Sequence, residues 1–272
     1  MRKLLILQLI FLSVALLFSR TFAFEPLLDT RIDFRVGDGP IYVCSIDLDG
    51  DGDDDLAAAD QISYNVTVLL NNSDGTFQNA VNYGVGKAPV SIFSIDLDGD
   101  ADNDLITTNY DSNDISILLN NGNGTFQDAA TYKTGKGPTY AFSKDLNGDG
   151  GNDLIVHNRY DDNLSILLNN GDGTFQNAVA YGGGWGHVYA IDLDGDGDID
   201  LSRANYTSNS ISILLNSGSG TFQTEVNYDV GDGPVRLFST DLDADGNNDL
   251  AVINRLSDNV SILANKIGRA HV

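Results

Sequence analysis

The sequence predicts an all-β fold built from repeated four-stranded antiparallel sheets, and three observations support this prediction. An acidic motif returns five times, from residues 47, 96, 145, 192 and 241, as DLDGDGDDDL, DLDGDADNDL, DLNGDGGNDL, DLDGDGDIDL and DLDADGNNDL. A second motif, GTFQ preceded by Asp, Asn or Ser, returns four times in the same rhythm. Each period also holds four short apolar segments bounded by turn residues, none of them long enough for a typical helix.

The second repeat shows the four predicted strands in order. PVSIFSI precedes the acidic motif, DLITTN ends it, and DISILLNN and FQDAATY follow. These segments are rich in β-branched and aromatic residues and alternate in part, which is typical of strands. The Asp-Gly and Asn-Gly pairs in connections such as NNGDGTF favour hairpin turns, because glycine tolerates a positive φ. Four antiparallel strands per period of about 48 residues are typical of a β-propeller blade; a parallel β-helix, the main alternative, needs much shorter coils.

The visible units give about five blades. LDTRIDFRVGDGP (28–40) aligns with FQNAVNYGVGKAP (77–89), so the propeller starts with a strand of the fourth type, and NVSILANK (259–266) supplies one of the third type. We therefore expect the N-terminal strand to complete the last blade and cover its edge. The fourth unit is two residues shorter than the others. Because side chains alternate between faces with period two, this unit is still expected to form an ordinary blade.

Three segments are predicted along the 272 residues. Residues 1–23 combine a basic start, an apolar run and a small-residue cleavage site, which is typical of a secretory signal peptide; an uncleaved anchor is the alternative. Residues 24–266 form the propeller. Residues 267–272, IGRAHV, resemble one translation frame of a sequencing adapter. We interpret them as a non-native tail, which leaves open whether the ring is truncated from a larger one.

Charge and cysteine content exclude several partners. The formal net charge is −24, and removal of the predicted signal peptide brings it to −27. Nucleic acid and anionic membrane surfaces are poor partners for such a chain, whereas cations are natural ones. No apolar run of 18 residues follows the signal peptide, so no membrane insertion is expected after its removal. Cys44 is the single cysteine, and in an apolar strand it is expected to act as a small buried hydrophobic residue.

The acidic loops are predicted metal sites, with positions numbered from the first Asp of each motif. Hard divalent cations prefer six to eight oxygen ligands, and oxygen-bearing side chains at positions 1, 3, 5 and 9 of a tight loop converge on one point. The backbone carbonyl of position 7 would complete each shell. The predicted ligands are Asp47, Asp49, Asp51, Asp53 and Asp55; Asp96, Asp98, Asp100, Asp102 and Asp104; Asp145, Asn147, Asp149, Gly151 and Asp153; Asp192, Asp194, Asp196, Asp198 and Asp200; and Asp241, Asp243, Asp245, Asn247 and Asp249.

Ca²⁺ is the predicted ion, about one per loop and up to five in all, because a flexible carboxylate-rich cage suits it better than Mg²⁺. No cluster combines Cys and His, which argues against zinc and copper. Solvated Asp/Gly turns without metal are the alternative. Ala101 replaces glycine at position 6 of loop 2, so weaker or distorted binding is expected there, and Asn147 removes one carboxylate from loop 3. Position 12 is never Glu, so the loops are not EF-hands.

The DLDGDGDDDL-type loops, together with YGVGKAP (83–89), resemble the FG-GAP or VCBS repeats known from the propellers of integrin α chains. The resemblance covers about residues 28–265 and is specific for the repeat class but weak for any activity. It implies a propeller with Ca²⁺ bound between the first and second strands of each blade. The sequence departs from the pattern at Ala101, at Asn147, at His187 in place of a proline, and in showing five blades where integrin-like rings have seven.

A partner is expected on the face opposite the calcium loops. In a four-stranded meander, the acidic loops and the GTFQ turns share one end, and the loops between the second and third strands share the other end with the interblade loops. Aromatic and Arg side chains recur in these opposite loops and suit an extracellular protein or carbohydrate ligand; packing across blade junctions is the alternative. The residues are Tyr110, Arg159, Tyr160, Trp185, Tyr206 and Arg255.

These features together predict a secreted, calcium-binding β-propeller that acts as an extracellular binding or adhesion module for protein or carbohydrate. The alternatives are a propeller domain of a secreted carbohydrate-active lyase or hydrolase, and a purely structural segment of a larger surface protein. The three histidines lack metal-ligand spacing, and neither G-x-S-x-G nor H-E-x-x-H occurs. We therefore predict that the protein is not an enzyme.

Overall fold

The structure is a computed structural model that describes residues 31–182 and 186–266. The chain divides into two units, Met1–Phe34 and Arg35–Val272. Of the first unit only residues 31–34 are described, and they form neither helix nor strand. The predicted signal peptide, the predicted tail and Trp185 all lie outside the described residues.

The described part of the second unit contains nineteen strands, grouped in five sheets, and no helix. Sheet 1 contains β1 (Pro40–Ile46), β2 (Asp55–Asp60), β3 (Asn65–Leu69) and β4 (Val81–Gly84); sheet 2 contains β5 (Pro89–Ile95), β6 (Asp104–Asn109), β7 (Asp114–Leu118) and β8 (Ala130–Lys133); sheet 3 contains β9 (Pro138–Lys144), β10 (Asp153–Asn158), β11 (Asn163–Leu167) and β12 (Val179–Tyr181); sheet 4 contains β13 (Val188–Ile191), β14 (Asp200–Asn205), β15 (Ser210–Leu214) and β16 (Val226–Asp229); sheet 5 contains β17 (Pro234–Thr240), β18 (Asp249–Asn254) and β19 (Asn259–Leu263). In these ranges no helix is present that could cross a membrane.

Every sheet is an antiparallel meander in which consecutive strands pair. Four sheets have four strands, which confirms the predicted blade, and sheet 5 has three among the described residues. The N-terminal segment was predicted to supply the fourth strand of sheet 5. Residues 31–36 form no strand, and residues 28–30 lie outside the described part. The expected completion of the last blade is therefore not seen among the described residues.

The core lies between consecutive sheets, in four clusters that repeat one arrangement. The second cluster, for example, joins Ile106 and Ile117 of sheet 2 to Leu154 and Leu167 of sheet 3. Alternation along each strand sends one side chain toward the preceding sheet and the next toward the following one. Cys44 packs against the first cluster, and burial raises the pKa of its thiol to about 11, in line with the expected apolar role.

The outer faces of the first and last sheets are uncovered among the described residues. Ile262 of β19 is 56% exposed, whereas Ile117, at the same position of sheet 2, is 1% exposed. Val43 of β1 is 58% exposed, whereas the equivalent Ile92 is 1% exposed. The repeat thus presents apolar side chains at both ends that interior sheets bury against a neighbour.

Sheet 4 confirms the prediction that the shortened repeat still forms a four-stranded blade. Its first strand, β13, has four residues where the others have seven. Val188 pairs with Arg203 as Ala141 pairs with Val156, so the register next to the acidic loop is unchanged. The backbone of His187 bonds to Ala204, which places it at the position of Tyr140 rather than Pro138. The sequence alignment that set His187 against a proline was therefore wrong.

Candidate functional site

The acidic loops connect the first and second strands of every sheet, as the resemblance implied. Position 1 directly follows the first strand, and position 9 is the first residue of the second strand. All five loops therefore lie at one edge of the repeat. A Cβ atom placed at Gly124 of the GTFQ turn in sheet 2 would contact the Cβ of Asp49 in loop 1 at 3.3 Å. The prediction that the acidic loops and the GTFQ turns share one face is confirmed.

The position 1 carboxylate holds the loop turn together. In loop 1, Asp47 Oδ1 accepts a hydrogen bond from the Gly50 amide at 2.8 Å and Oδ2 accepts one from the Gly52 amide at 3.0 Å. Loops 2 to 4 repeat both bonds. Further along, Asp51 Oδ1 accepts a hydrogen bond from the Asp53 amide at 2.9 Å. The loop backbone thus points its amides at carboxylates and winds around them.

The position 9 carboxylate is buried and ties three segments of its sheet together. Asp104 Oδ2 accepts a hydrogen bond from the Leu97 amide at 2.8 Å, and its Oδ1 accepts one from the Asn120 amide at 2.8 Å. Burial raises the pKa of Asp104 to about 6, although these two amide bonds act in the opposite direction. Burial likewise raises the pKa of Asp153 and of Asp200. A bound cation would compensate the charge that burial disfavours.

Positions 1, 3 and 9 converge in four of the five loops. In each set, one carboxylate oxygen per residue lies within 4.8 Å of the others. Two oxygens that share one Ca²⁺ at 2.3–2.6 Å can lie up to about 5 Å apart, so the spacing fits a common ion. The sets are Asp47, Asp49 and Asp55; Asp96, Asp98 and Asp104; Asp192, Asp194 and Asp200; and Asp241, Asp243 and Asp249. These clusters could hold metal ions.

The predicted ligands at positions 5 and 7 do not belong to the converging sets. The position 5 carboxylates are not in these sets. They accept hydrogen bonds from the position 7 amides, as Asp100 does from Asp102 at 2.9 Å. Coordination through position 5 and through the carbonyl of position 7 stays a prediction.

In loop 3, a side-chain amide replaces one of the two neighbouring carboxylates and so removes their repulsion. Asn147 Nδ2 donates to Asp149 Oδ2 at 2.8 Å, where the other loops set two carboxylates near each other. In loops 1, 2 and 4 burial and neighbouring carboxylates raise the pKa of the position 3 side chains Asp49, Asp98 and Asp194. Without a cation, loop 3 therefore has the least repulsion between carboxylates. It also offers the least negative charge for binding a cation.

Ala101 does not distort loop 2. Its φ is +74°, and its amide donates to Asp96 Oδ2 at 3.0 Å, as Gly52 donates to Asp47 in loop 1. The expected distortion is therefore absent from this loop, and the cost is confined to the strained backbone of an L-residue. A second such position, Ala244 with φ +61° in loop 5, was overlooked in the sequence.

Sequence reasoning also missed a set of asparagines that join neighbouring loops. Asn120 Nδ2 donates to the carbonyl of Leu48 in loop 1 at 2.8 Å and to that of Asn103 in its own sheet at 3.0 Å. The bond between sheets recurs from Asn169 to Leu97, from Asn216 to Leu146 and from Asn265 to Leu193. The signal was present, because an Asn follows the third strand in every repeat. We call these four residues the Asn clamps.

The aromatic residues of the opposite face pack across sheet junctions. The rings of Tyr110 and Tyr160 lie 5.3 Å apart between sheets 2 and 3. Tyr160 also covers the interblade loop at Gly137, where a Cβ would approach the ring to 2.7 Å. The packing alternative therefore accounts for this pair, although Tyr160 stays largely exposed.

The repeat pattern matches a known family along most of the chain. The profile of the FG-GAP-like repeat matches residues 47–107, 96–143, 145–202 and 192–252. The chain belongs to the FG-GAP-like repeat family. The resemblance stated from the acidic loops is thereby confirmed.

Solved structures with propeller-like folds are similar to this FG-GAP-like chain. One is a lectin from Agrocybe aegerita that recognises non-reducing terminal N-acetylglucosamine, with TM-score 0.54, 23% identity, and 84% of this chain and 67% of the lectin covered. Another is BBS1N in complex with ARL6DN, with TM-score 0.52, 14% identity, and 83% and 68% covered. A third is the periplasmic gluconolactonase of Pseudomonas aeruginosa, with TM-score 0.50, 17% identity, and 83% and 57% covered. These likenesses support the fold. A search of curated proteins found no match.

Proposed function

We propose that this FG-GAP-like protein is a secreted, calcium-binding β-propeller that serves as an extracellular binding module for carbohydrate or protein. One observation carries the proposal: four loops of the same fold each bring three carboxylates within 4.8 Å. Like charges at such distances repel by several kcal/mol at an effective dielectric near 20. Their recurrence at one position of the repeat is accounted for by a cation that offsets this repulsion.

Calcium in this proposal stabilises the scaffold. An ion that binds only the folded protein adds RT ln(1 + [Ca²⁺]/Kd) per site, about 2.7 kcal/mol at 100-fold saturation. Each loop joins the first two strands of a sheet, and its position 9 side chain also bonds to the second residue after the third strand, as Asp104 does to Asn120. Occupation of a loop therefore stabilises three strands at once, and the loops of the opposite face are held on a rigid support.

The test of calcium binding is a comparison of metal content and thermal unfolding with and without a chelator. We expect the purified protein to hold several calcium ions and to lose melting temperature strongly in EDTA. Asp49→Ala should remove one ion and part of the calcium-dependent shift. Asp54→Ala is the matched control, because Asp54 is an acidic residue of the same loop outside the converging set. Identical melting curves in calcium and in EDTA would exclude this function for the loops.

The ligand class rests on the opposite face and on composition. The strongly acidic chain disfavours nucleic acid and anionic surfaces, which leaves neutral or cationic ligands. The fold shared with a lectin motivates N-acetylglucosamine-terminated glycans as first probes. A glycan and protein array probed in calcium and in EDTA tests the binding role. Calcium-dependent capture of a defined glycan or protein supports it, and turnover of a polysaccharide without such capture would favour the alternative of a carbohydrate-active enzyme.

Secretion is part of the same proposal and is tested at the N terminus. Expression with residues 1–23 intact in a secreting host should release a chain that begins at Phe24, which mass spectrometry of the exported protein would show. A retained chain that still begins at Met1 would contradict secretion by the predicted signal peptide.

A further inference from the structure

A cavity of about 320 Å³ lies where sheets 3, 4 and 5 approach each other. Its walls include Tyr140 of β9, His157 of β10, His187 just before β13, and Tyr206 in the connection that follows β14. These residues lie near the loops between second and third strands, so the cavity is on the face opposite the acidic loops. Its volume is in the range of pockets that bind small molecules.

The cavity follows from the two residues that the fourth repeat lacks. Gly186 stands six residues before the acidic motif, where sheets 2, 3 and 5 carry Val90, Thr139 and Val235. A Cβ atom at Gly186 would collide with the carbonyl oxygen of Ala204. The start of β13 therefore lies close against β14 without a side chain at this position, and the space beside sheet 3 stays open.

Two histidines line this space, at positions where the other repeats carry different residues. His157 occupies the position of Ala59, Thr108 and Ala204 in other sheets, and His187 occupies that of Ser91. His157 Nδ1 lies 3.1 Å from Thr139 Oγ1, whereas its Nε2 is buried without a hydrogen-bond partner. His187 Nδ1 is buried without a partner as well. Unpaired buried nitrogens are costly, and both histidines line the same cavity, so a ligand that reaches both nitrogens would remove this cost.

Both imidazoles are neutral near pH 7. Burial lowers the pKa of His157, and the charge of Arg203 lowers it further. Burial also lowers the pKa of His187, with a smaller contribution from Arg236. A neutral imidazole nitrogen donates or accepts a hydrogen bond according to its tautomer, which suits hydroxyl groups, since these do both. The described residues that line the cavity include no charged side chain, so these walls favour a neutral ligand.

Aromatic rings complete the walls. Tyr140 and Phe142 stack at a centroid distance of 6.0 Å and an interplanar angle of 28°, and Tyr140 is half exposed. A few polar atoms among aromatic and aliphatic walls are typical of small-molecule sites. We propose that this cavity binds a single neutral sugar ring, with the imidazole nitrogens of His157 and His187 hydrogen-bonded to its hydroxyl groups. The proposal rests on the binding role proposed above and gives that role a site.

The test is titration of the calcium-loaded full-length protein with a panel of neutral monosaccharides, including glucose, galactose, mannose and N-acetylglucosamine. Heat of binding and tryptophan fluorescence are the readouts, since Trp185, the single tryptophan, directly precedes Gly186 in the sequence. We expect saturable binding of at least one sugar, weakened at least tenfold by His157→Val and by His187→Ser. Thr108→Val is the control, because it introduces the same residue at the equivalent buried position of sheet 2, away from the cavity.

Melting temperatures separate a lost contact from a lost fold. His157→Val removes a buried nitrogen without a partner, so it should keep or raise the melting temperature while binding falls. Binding that survives both histidine variants would overturn this site, yet a positive array would leave the binding role intact. If no sugar in the panel binds, the cavity proposal fails. If the glycan and protein array is also negative, the binding role fails with it.

Discussion

At the scale of single residues, some carboxylates of the acidic loops hold the loop backbone in place, and others are left to bind the ion. The position 1 and position 9 carboxylates already accept two backbone hydrogen bonds each, as Asp47 and Asp55 show in loop 1. These bonds fix the loop before any cation arrives. The position 3 carboxylates are less engaged, and in loop 2 the pKa of Asp98 is raised by burial and by the charge of Asp100. Folding of the loop and binding of the ion are therefore separable by substitution.

Ala101→Gly is expected to stabilise the protein by about 0.5–1 kcal/mol. An L-residue in the left-handed region costs about 1–2 kcal/mol, and the greater freedom of glycine in the unfolded chain offsets part of this gain. The equivalent Gly52 has open space where a Cβ would lie, so the effect comes from the backbone alone. Urea unfolding in EDTA measures it.

Ala141→Gly is the control, because Ala141 is buried in β9 and absent from the residues of positive φ. That substitution should destabilise the protein, as glycine does within a strand. If both substitutions destabilise it equally, the strain assigned to Ala101 does not exist.

Asn147→Asp should raise the calcium affinity of loop 3 and lower the stability of the metal-free protein. The change replaces the bond from Asn147 Nδ2 to Asp149 with a contact between two carboxylates. Without calcium these charges repel, and with calcium the added charge strengthens the cage. Calorimetric titration should therefore show a higher calcium affinity, and thermal unfolding in EDTA should show a lower melting temperature.

The reverse exchange, Asp98→Asn, is the internal control for this pair. It should stabilise the metal-free protein and weaken calcium binding by loop 2. A parallel shift of both properties in either variant would show that position 3 does not contact the ion.

At the scale of elements, the Asn clamps tie the end of each third strand to the preceding acidic loop. Asn169→Ala should lower the free energy of unfolding by about 1–3 kcal/mol more than Asn71→Ala, because it leaves the buried carbonyl of Leu97 without its donor. Asn71 occupies the same position in sheet 1, and among the described residues its side chain bonds only nearby in the same repeat, to the Asp54 carbonyl and the Ser73 amide. Denaturant unfolding of both variants measures the difference. Equal losses would mean that the bond between sheets contributes nothing.

Strands and acidic loops could be predicted from the sequence because each is encoded locally and repeated five times. The segment DLITTN, for instance, predicts both strand β6 and the carboxylate at position 9 of loop 2, which is its first residue. The Asn clamps depend on which loop lies next to which strand, and that follows only from packing of one sheet on another. The cavity was hidden for the same reason: two missing residues before β13 show their effect only when sheets 3 and 4 are brought together.

At the scale of the whole molecule, sheets 2, 3 and 4 each pack between two neighbours, whereas among the described residues sheets 1 and 5 each pack against one. Ile262 and Val260 of sheet 5 are exposed, although the equivalent Ile117 and Ile115 of sheet 2 are buried. Large exposed apolar faces on soluble proteins usually mark a contact surface. The outer face of sheet 5 carries the same residue types that fill the junctions between interior sheets, so it is suited to contact another FG-GAP-like sheet.

Ile117→Ala and Ile262→Ala test this difference with the same chemical change at equivalent positions. Ile117→Ala should cost about 2–5 kcal/mol, since it opens a cavity between sheets 2 and 3. Ile262→Ala should cost less than about 1 kcal/mol, because little buried surface is lost. Calcium-saturated denaturant unfolding measures both values, and sedimentation of the same samples reports association through the outer face. If both variants lose the same free energy of unfolding in a monomeric sample, the face of sheet 5 is covered within the chain in solution. If the losses become equal only at concentrations where the protein associates, a second molecule covers that face.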